Sequence, residues 1–301
     1  MSERTIIKSG SCLADWQKEA NEERGENYRI DFTLSDDGVL TISGNTQLCA
    51  VPAPDAEPYY DEPVGPPCGW SEYVSQFKEL DFHTVIIEEG VRVLGKECFK
   101  NCKNFRKIVL PEKMPVIRKD FAIGSPLEYT EKDGLLFLGP VSNPLYYLME
   151  ATDDFNNEVL VIPTGTVFIA DETFKGKKCI KEVKFPDSLE FLGWYTFDGT
   201  SIKELFIPEG KLAYDEILIA FDGWDINLES ISAPYSMYKE YKEGNDHEWV
   251  EVWKCHTKII FRNPDDSIAE IIEPQPLEPD WSSEPENDNS SINKNSDELP
   301  F

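Results

Sequence analysis

The side chains that could carry chemistry are few and are poorly spaced for it. The 301 residues hold three histidines, His83, His247 and His256, and seven cysteines, Cys12, Cys49, Cys68, Cys98, Cys102, Cys179 and Cys255. A metal site needs about four N, S or O ligands brought together by short spacings, and these histidines do not come with such spacing. Seven cysteines are an odd number without a regular framework, which points to reduced thiols rather than a disulfide scaffold. Cys98 and Cys102 flank Phe99 and could approach each other, but both positions read as small buried packing sites. Glu88–Glu89 and Asp153–Asp154 are adjacent carboxylates, and neighbours along an extended chain point apart, so no shared acid–base site is expected. Asp36-Asp37-Gly38 reads as a turn, because the remaining ligands of a calcium loop are missing. No nucleophile elbow, zinc-protease motif or phosphate loop occurs. The chain is therefore expected to be a non-enzyme with no cofactor and no metal.

The elements that carry these residues repeat. Short apolar runs close on Pro111, Pro163, Pro186, Pro208 and Pro234, at spacings of 52, 23, 22 and 26 residues, the first gap holding one unit plus an insertion. A fixed period in the twenties is the signature of a solenoid. Ile108-Val109-Leu110 is too short for a helix and reads as a strand with Ile108 and Leu110 inward and Val109 outward. Pro111 cannot donate to a ladder and stops it. Phe99, Phe121, Phe174, Phe197 and Phe221 recur once per unit and plug the interior from the opposite side. One such coil has two open faces, so several must stack to bury a core.

Gly-Val-x-x-Leu-Gly-x-x-x-Phe-x-x-Cys-x-x-Phe-x-x-Ile-x-Leu-Pro, from Gly90 to Pro111, resembles the BspA-like leucine-rich repeat, and the resemblance spans residues 83–234. Gly124 stands where Cys102 stands one repeat earlier, and the coil from Pro208 to Pro234 is degraded. Ser9-Gly10-Ser11-Cys12 and Leu34 to Gly44 resemble the hairpin that precedes such repeats. The resemblance implies a β-rich α+β solenoid with an N-terminal β-hairpin cap and a C-terminal helix/strand cap. It implies a binding scaffold and says little about the partner.

Three regions follow. Residues 1–80 form an N-terminal cap, with a short helix over Trp16–Gly25, a hairpin over Tyr28–Ser43, a proline-rich acidic loop over Cys49–Trp70, and an amphipathic helix over Trp70–Leu80. Residues 81–260 form the solenoid, with a hairpin insertion at 128–159 and a closing helix and strand, the helix at Tyr235–Gly244 and the strand at Lys258–Phe261, with an apolar element around Trp249 and Trp253 between them. Residues 261–301 are acidic, proline-rich and expected to be disordered.

The net charge of −28 argues against nucleic acid and against anionic membranes. No apolar signal segment and no run long enough to span a bilayer occurs, so the expected compartment is the cytoplasm, or the exterior if the N-terminus has been shortened. The leading expectation is a monomeric, non-enzymatic scaffold for an unidentified protein partner. Outward positions of the stacked strands give two rows. One is Thr84, Lys107, Val159, Glu182, Glu204 and Ser230. The other is Ile86, Val109, Val161, Lys184, Phe206 and Ser232, and it is largely apolar, which marks a partner surface. The alternative is a secreted or surface-associated adhesin-like protein binding host or cell-wall carbohydrate or protein, with Tyr59, Tyr60 and Trp70 as stacking aromatics.

Overall fold

The computed structural model describes residues 4–13, 15–48, 51–52, 58–59, 69–70, 73–212, 217, 219–221, 228–238 and 257–274. The chain opens with β1 (Ile6–Ser11), α1 (Asp15–Arg24), β2 (Ile30–Ser35) and β3 (Val39–Gly44). The expected helix is α1, and it stops where Gly25 takes φ +64°, a conformation that spares glycine the Cβ clash. The expected hairpin is β2–β3, turning at Asp36–Gly38. β1 pairs antiparallel with β2, a strand that the sequence reading did not anticipate.

After β4 (Gln47–Leu48), four two-residue strands follow: β5 (Val51–Pro52), β6 (Pro58–Tyr59), β7 (Gly69–Trp70) and β8 (Tyr73–Val74). β5 pairs with β8 and β6 with β7. The helix expected over Trp70–Leu80 is therefore corrected: its start is strand, and Gln76–Glu79 are turn. Core contacts decide this. The Ser75 hydroxyl donates to the Cys98 carbonyl at 2.6 Å, and the Phe77 ring stacks on Phe99 at 5.3 Å.

The repeating part begins with β9 (Thr84–Ile87), β10 (Val93–Leu94), β11 (Lys107–Val109) and β12 (Val116–Ile117). It is interrupted by β13 (Thr130–Lys132), β14 (Leu135–Leu138) and β15 (Tyr147–Ala151), and resumes with β16 (Val159–Val161), β17 (Phe168–Ile169), β18 (Glu182–Lys184), β19 (Phe191–Leu192) and β20 (Glu204–Phe206). β21 (Ser230–Pro234), β22 (Lys258–Arg262) and β23 (Ile268–Ile272) complete the described chain. A complete coil supplies two short strands, which stack parallel with those of the next coil to give two columns. The first column is β3-β9-β11, then β16-β18, then β20-β21-β22, in three separate sheets. The second is β4-β10-β12, then β15-β17-β19.

A turn closes each coil. Glu97, Glu172 and Tyr195 all sit there with φ of 54–57°. This left-handed residue costs on the order of 1 kcal/mol, offset by stitching to the next coil. Glu97 N–H donates to Asp120 O, Glu172 N–H to Trp194 O, and Tyr195 N–H to Ile219 O. Two residues on, the recurrent phenylalanine enters the core, and Phe99, Phe121, Phe174, Phe197 and Phe221 are all buried as expected.

The expected insertion hairpin is β14–β15, joined to β13 by the Asp133–Gly134 turn. It does more than flank a coil. Leu135, Phe137, Leu148 and Ala151 enter the apolar core of the C-terminal coils, while Leu138, Tyr147 and Met149 enter that of the N-terminal coils. β14 and β15 thus send side chains into the cores of both blocks, while β13 lies exposed at the edge.

Beyond the coils, Tyr235–Tyr238 begin the expected helix, and the rest of it, with Trp249 and Trp253, lies outside the described residues. β22 is the expected last strand. The expectation of disorder from 261 is corrected at its start: β23 pairs antiparallel with β22 through Ile271 and Ile272, after a turn at Asn263–Asp266. The isoleucines of Ser267–Ile272 give that stretch enough β-forming, apolar character to extend the sheet despite the surrounding acids. Residues 275–301 lie outside the described part.

Candidate interaction surface

The two outward rows exist, with the expected partners inside each sheet. Thr84 faces Lys107 and Ile86 faces Val109 in the first sheet. Val159 faces Glu182 and Val161 faces Lys184 in the second. Glu204 faces Ser230 and Phe206 faces Ser232 in the third. In β16, β18 and β20 the central residue is buried and its neighbours are exposed, so Leu160, Val183 and Leu205 face the core.

The apolar row is not one strip, however. Ile86 and Val109 are half-buried, whereas Val161 and Phe206 expose 57% and 51% of their surface. No ladder joins β11 to β16, so Val109 and Val161 are not ladder neighbours, which corrects the expectation of a continuous row. The hairpin insertion leaves Val161 open rather than covering it. Lys184 is exposed and lies 3.3 Å from the Glu182 carboxylate on its own strand. Tyr59 belongs to β6, with its side chain outside the described residues, and Tyr60 lies outside them altogether.

A second exposed feature arises from the second column and escaped the sequence reading. The rings of Tyr147, Phe168 and Phe191 stack in succession, at 4.3 Å and 5.5 Å between centroids. The stack starts in the core, where the Tyr147 hydroxyl donates to Ile117 O at 2.7 Å and burial pushes its pKa up. It ends at exposed Phe191, and the next turn displays Trp194, 58% exposed, and Tyr195, their rings 6.3 Å apart. Lys175 Nζ lies 5.1 Å over the Tyr195 ring and 2.6 Å from Glu172. The hydrogen bond between them raises the lysine pKa and lowers that of the carboxyl. The 23-residue spacing of Phe168 and Phe191 was a legible signal. The contribution of Tyr147 was not, because the insertion shifts it out of period.

Among the described residues, the thiols do not form a reactive centre. Cys12, Cys98 and Cys102 are buried thiols. Desolvation by burial pushes Cys12 up to about 12 and Cys102 up to about 11. Among the described residues, no group of three His, Cys, Asp or Glu side chains is placed to hold a metal ion. No helix among them is long and apolar enough to cross a membrane.

Parallel short strands, a phenylalanine per coil and a turn stitched to the next coil define a leucine-rich repeat protein. The model of the BspA type leucine rich repeat region matches six copies, over residues 73–130 and 151–239, and this part of the chain is a BspA-like leucine-rich repeat region. The stretch between the two matched regions is the meander. Among solved structures, a leucine rich cell surface protein of Faecalibacterium prausnitzii is similar at 15% identity and TM-score 0.29, covering 69% of this chain and 87% of its own. The pneumococcal vaccine antigen PcpA is similar at 12% identity and TM-score 0.27, covering 69% and 80%. A leucine-rich repeat protein of Bacteroides ovatus is similar at 18% identity and TM-score 0.23, covering 69% and 63%. No curated protein matches the chain.

Proposed function

We propose that the protein is a non-enzymatic solenoid scaffold that binds another protein through the outward face of its first column. The β2–β3 hairpin closes one end of the solenoid and β21–β23 the other. The observation that carries this reading is Phe206: a large aromatic, half exposed on a strand whose central residue Leu205 is buried, beside exposed Glu204 and Lys184. Aromatic residues with a polar rim are the usual anchors of an interface. Val161 and Lys184 extend the contact on one side and Ser232 on the other, with Ile86 and Val109 behind them. The test captures partners from the protein's own cells with wild-type and Phe206→Glu chains, followed by affinity measurement. The variant is expected to fold and to bind at least about 30-fold more weakly, the loss of a moderate hot spot. Unchanged affinity removes this face, and the Tyr59–Tyr60 segment becomes the next candidate.

Trp194 and Tyr195 favour a second reading, attachment to carbohydrate at a cell surface. Exposed rings beside Asp171, Glu172 and Asp198 offer a flat apolar platform with hydrogen-bond acceptors at its edge. A glycan array comparing wild type with Trp194→Ala tests it: binding unaffected by the substitution counts against this platform. The cytoplasmic compartment expected above gains no support from the structure or the comparisons, and this second reading requires export.

A further inference from the structure

The first column has a gap, and one lip of it is a strand edge. In the third coil, Glu128 N–H still donates to Arg106 O at 2.8 Å, as an incoming first-column strand would. From Thr130 the chain leaves the column, enters β13 and reverses at Asp133–Gly134, where φ is 55° and 77°. β16 is therefore paired on one side only, with β18. That pairing uses Glu158 and Ile162: Lys181 and Glu182 N–H donate to Glu158 O, and Ile162 N–H donates to Lys184 O. Main-chain groups alternate sides along a parallel strand, so Leu160 also faces β18, and Val159 and Val161 turn their N–H and C=O to the open side. Among the described residues, neither has a hydrogen-bond partner there. The junction of β18 and β20 also lacks a ladder, but those strands stay in contact.

The open edge borders a cleft of about 300 Å³, whose far wall is Lys132 and Asp133 and whose floor includes buried Leu135 and Phe155. Folded proteins blunt such edges with charges, prolines or bulges within the strand. β16 is Val-Leu-Val, with both valines exposed, and its first proline comes only at Pro163. Donors and acceptors spaced along an edge fit one kind of ligand, another extended main chain. The charge of the rim narrows the choice. Between Glu128 and Val161 stand Glu128, Glu131, Asp133, Glu150, Asp153, Asp154 and Glu158, all exposed, against Lys132 within the segment and two lysines that reach it from outside, Lys177, whose Nζ lies 5.9 Å over the Phe155 ring, and Lys181. Glu158 alone of these acids is met by a lysine from outside the segment, Lys181 at 2.7 Å.

We propose that the free edge of β16 receives, by strand addition, an extended segment of a basic partner protein, a site that adjoins the Phe206 face at Val161. A second copy brings its own charge of −28, which opposes edge-to-edge pairing. A strand of about four residues, roughly 13 Å long, spans the lip. Its alternate side chains reach the Leu135–Phe155 floor and the acidic rim.

The test measures fluorescence anisotropy of a labelled peptide of four Lys-Val repeats against the full chain at 0.15 M salt. Companion peptides are four Glu-Val repeats, and the Lys-Val peptide N-methylated at every valine. The Lys-Val peptide is expected to bind. N-methylation, which blocks two edge hydrogen bonds and keeps the charge, is expected to weaken binding at least about tenfold. Val161→Pro removes an edge donor that has no partner among the described residues, and is expected to weaken binding similarly with an unchanged melting temperature. If Val161→Pro unfolds, Val159→Lys, which places a positive charge on the lip, serves in its place. Equal binding of the N-methylated peptide, undiminished binding by the folded variant, or no binding of the Lys-Val peptide overturns the proposal. So does a concentration-dependent dimer that Val161→Pro or Val159→Lys converts to monomer, which would assign the edge to a second copy.

Discussion

The coils before the meander and the coils after it bury the same residue in different settings. In the first block Phe32, Phe77, Phe99 and Phe121 line up at 5.6, 5.3 and 6.4 Å, with Phe82 and Phe105 packed against Phe99. In the second, Phe155, Phe174, Phe197 and Phe221 line up at 6.1, 5.6 and 5.4 Å, with Phe174 and Phe197 nearly parallel at 7°. The residue before the phenylalanine differs as well. Cys98 precedes Phe99 in the first block, whereas Thr173 and Thr196 precede Phe174 and Phe197 in the second and donate to Ala170 O and Gly193 O at 2.7 and 2.6 Å. The first block ties its column into one sheet with the β2–β3 hairpin, while the second begins at an open edge. The repeat thus fixes what must be inside each coil, and leaves the continuity of the sheet to whatever interrupts the repeat.

The largest effect is expected from breaking either ladder. Phe174→Ala and Phe99→Ala should each cost about 3–5 kcal/mol, read by denaturant unfolding. Because β14 and β15 contribute to the cores of both blocks, both variants should still unfold in a single transition. Two separated transitions for either would show that the blocks are independent.

Coil spacing sharpens the comparison next. A methyl group added at Gly193 would lie 2.3 Å from the Asp171 nitrogen, so the β16–β17 and β18–β19 coils could not approach as they do. Gly193→Ala should cost roughly 2 kcal/mol, the usual scale of overpacking. A melting temperature equal to wild type would mean that the coils can slide apart freely.

Phe206→Glu should shift stability by less than about 0.5 kcal/mol, the range of surface substitutions. Circular dichroism and melting check this independently of any partner. An unfolded variant would put the ring in the core and undo the strand register.

The smallest expected signal is chemical. Buried Cys12 and Cys102 should resist an alkylating reagent at pH 8 in the native protein and react in denaturant, with labelled positions read by mass spectrometry. At that pH the Cys102 thiol, pushed up to about 11, is thiolate in about one molecule per thousand, whereas an ordinary thiol is substantially ionised. Above pH 9 the unfolded chain releases these protons and the native chain keeps them, so both thiols make stability fall as pH rises. Rapid native labelling of Cys102 would show that the first block opens readily.

Most of the fold was legible because the repeat states it locally. Proline, the two strand valines or isoleucines and the recurrent phenylalanine each act within one coil, so Phe99, Phe174 and Phe197 could be placed in the core, and Val161 and Phe206 outside it, from periodicity alone. The helix expected over Trp70–Leu80 failed because Ser75 and Phe77 are claimed by the neighbouring coil, whose contacts outweigh a weak amphipathic pattern. The strand at Ile268–Ile272 was hidden by its acidic surroundings. The sequence by itself determined the coil, its inward residues and the absence of recognisable catalytic motifs. Only the tertiary structure decided that β14 and β15 would pack into both cores, that Tyr147 would found a stack ending at Phe191, and that β16 would keep a free edge. These depend on which strands meet across an interruption of period, and strand pairing is a property of stacked coils that no single coil encodes.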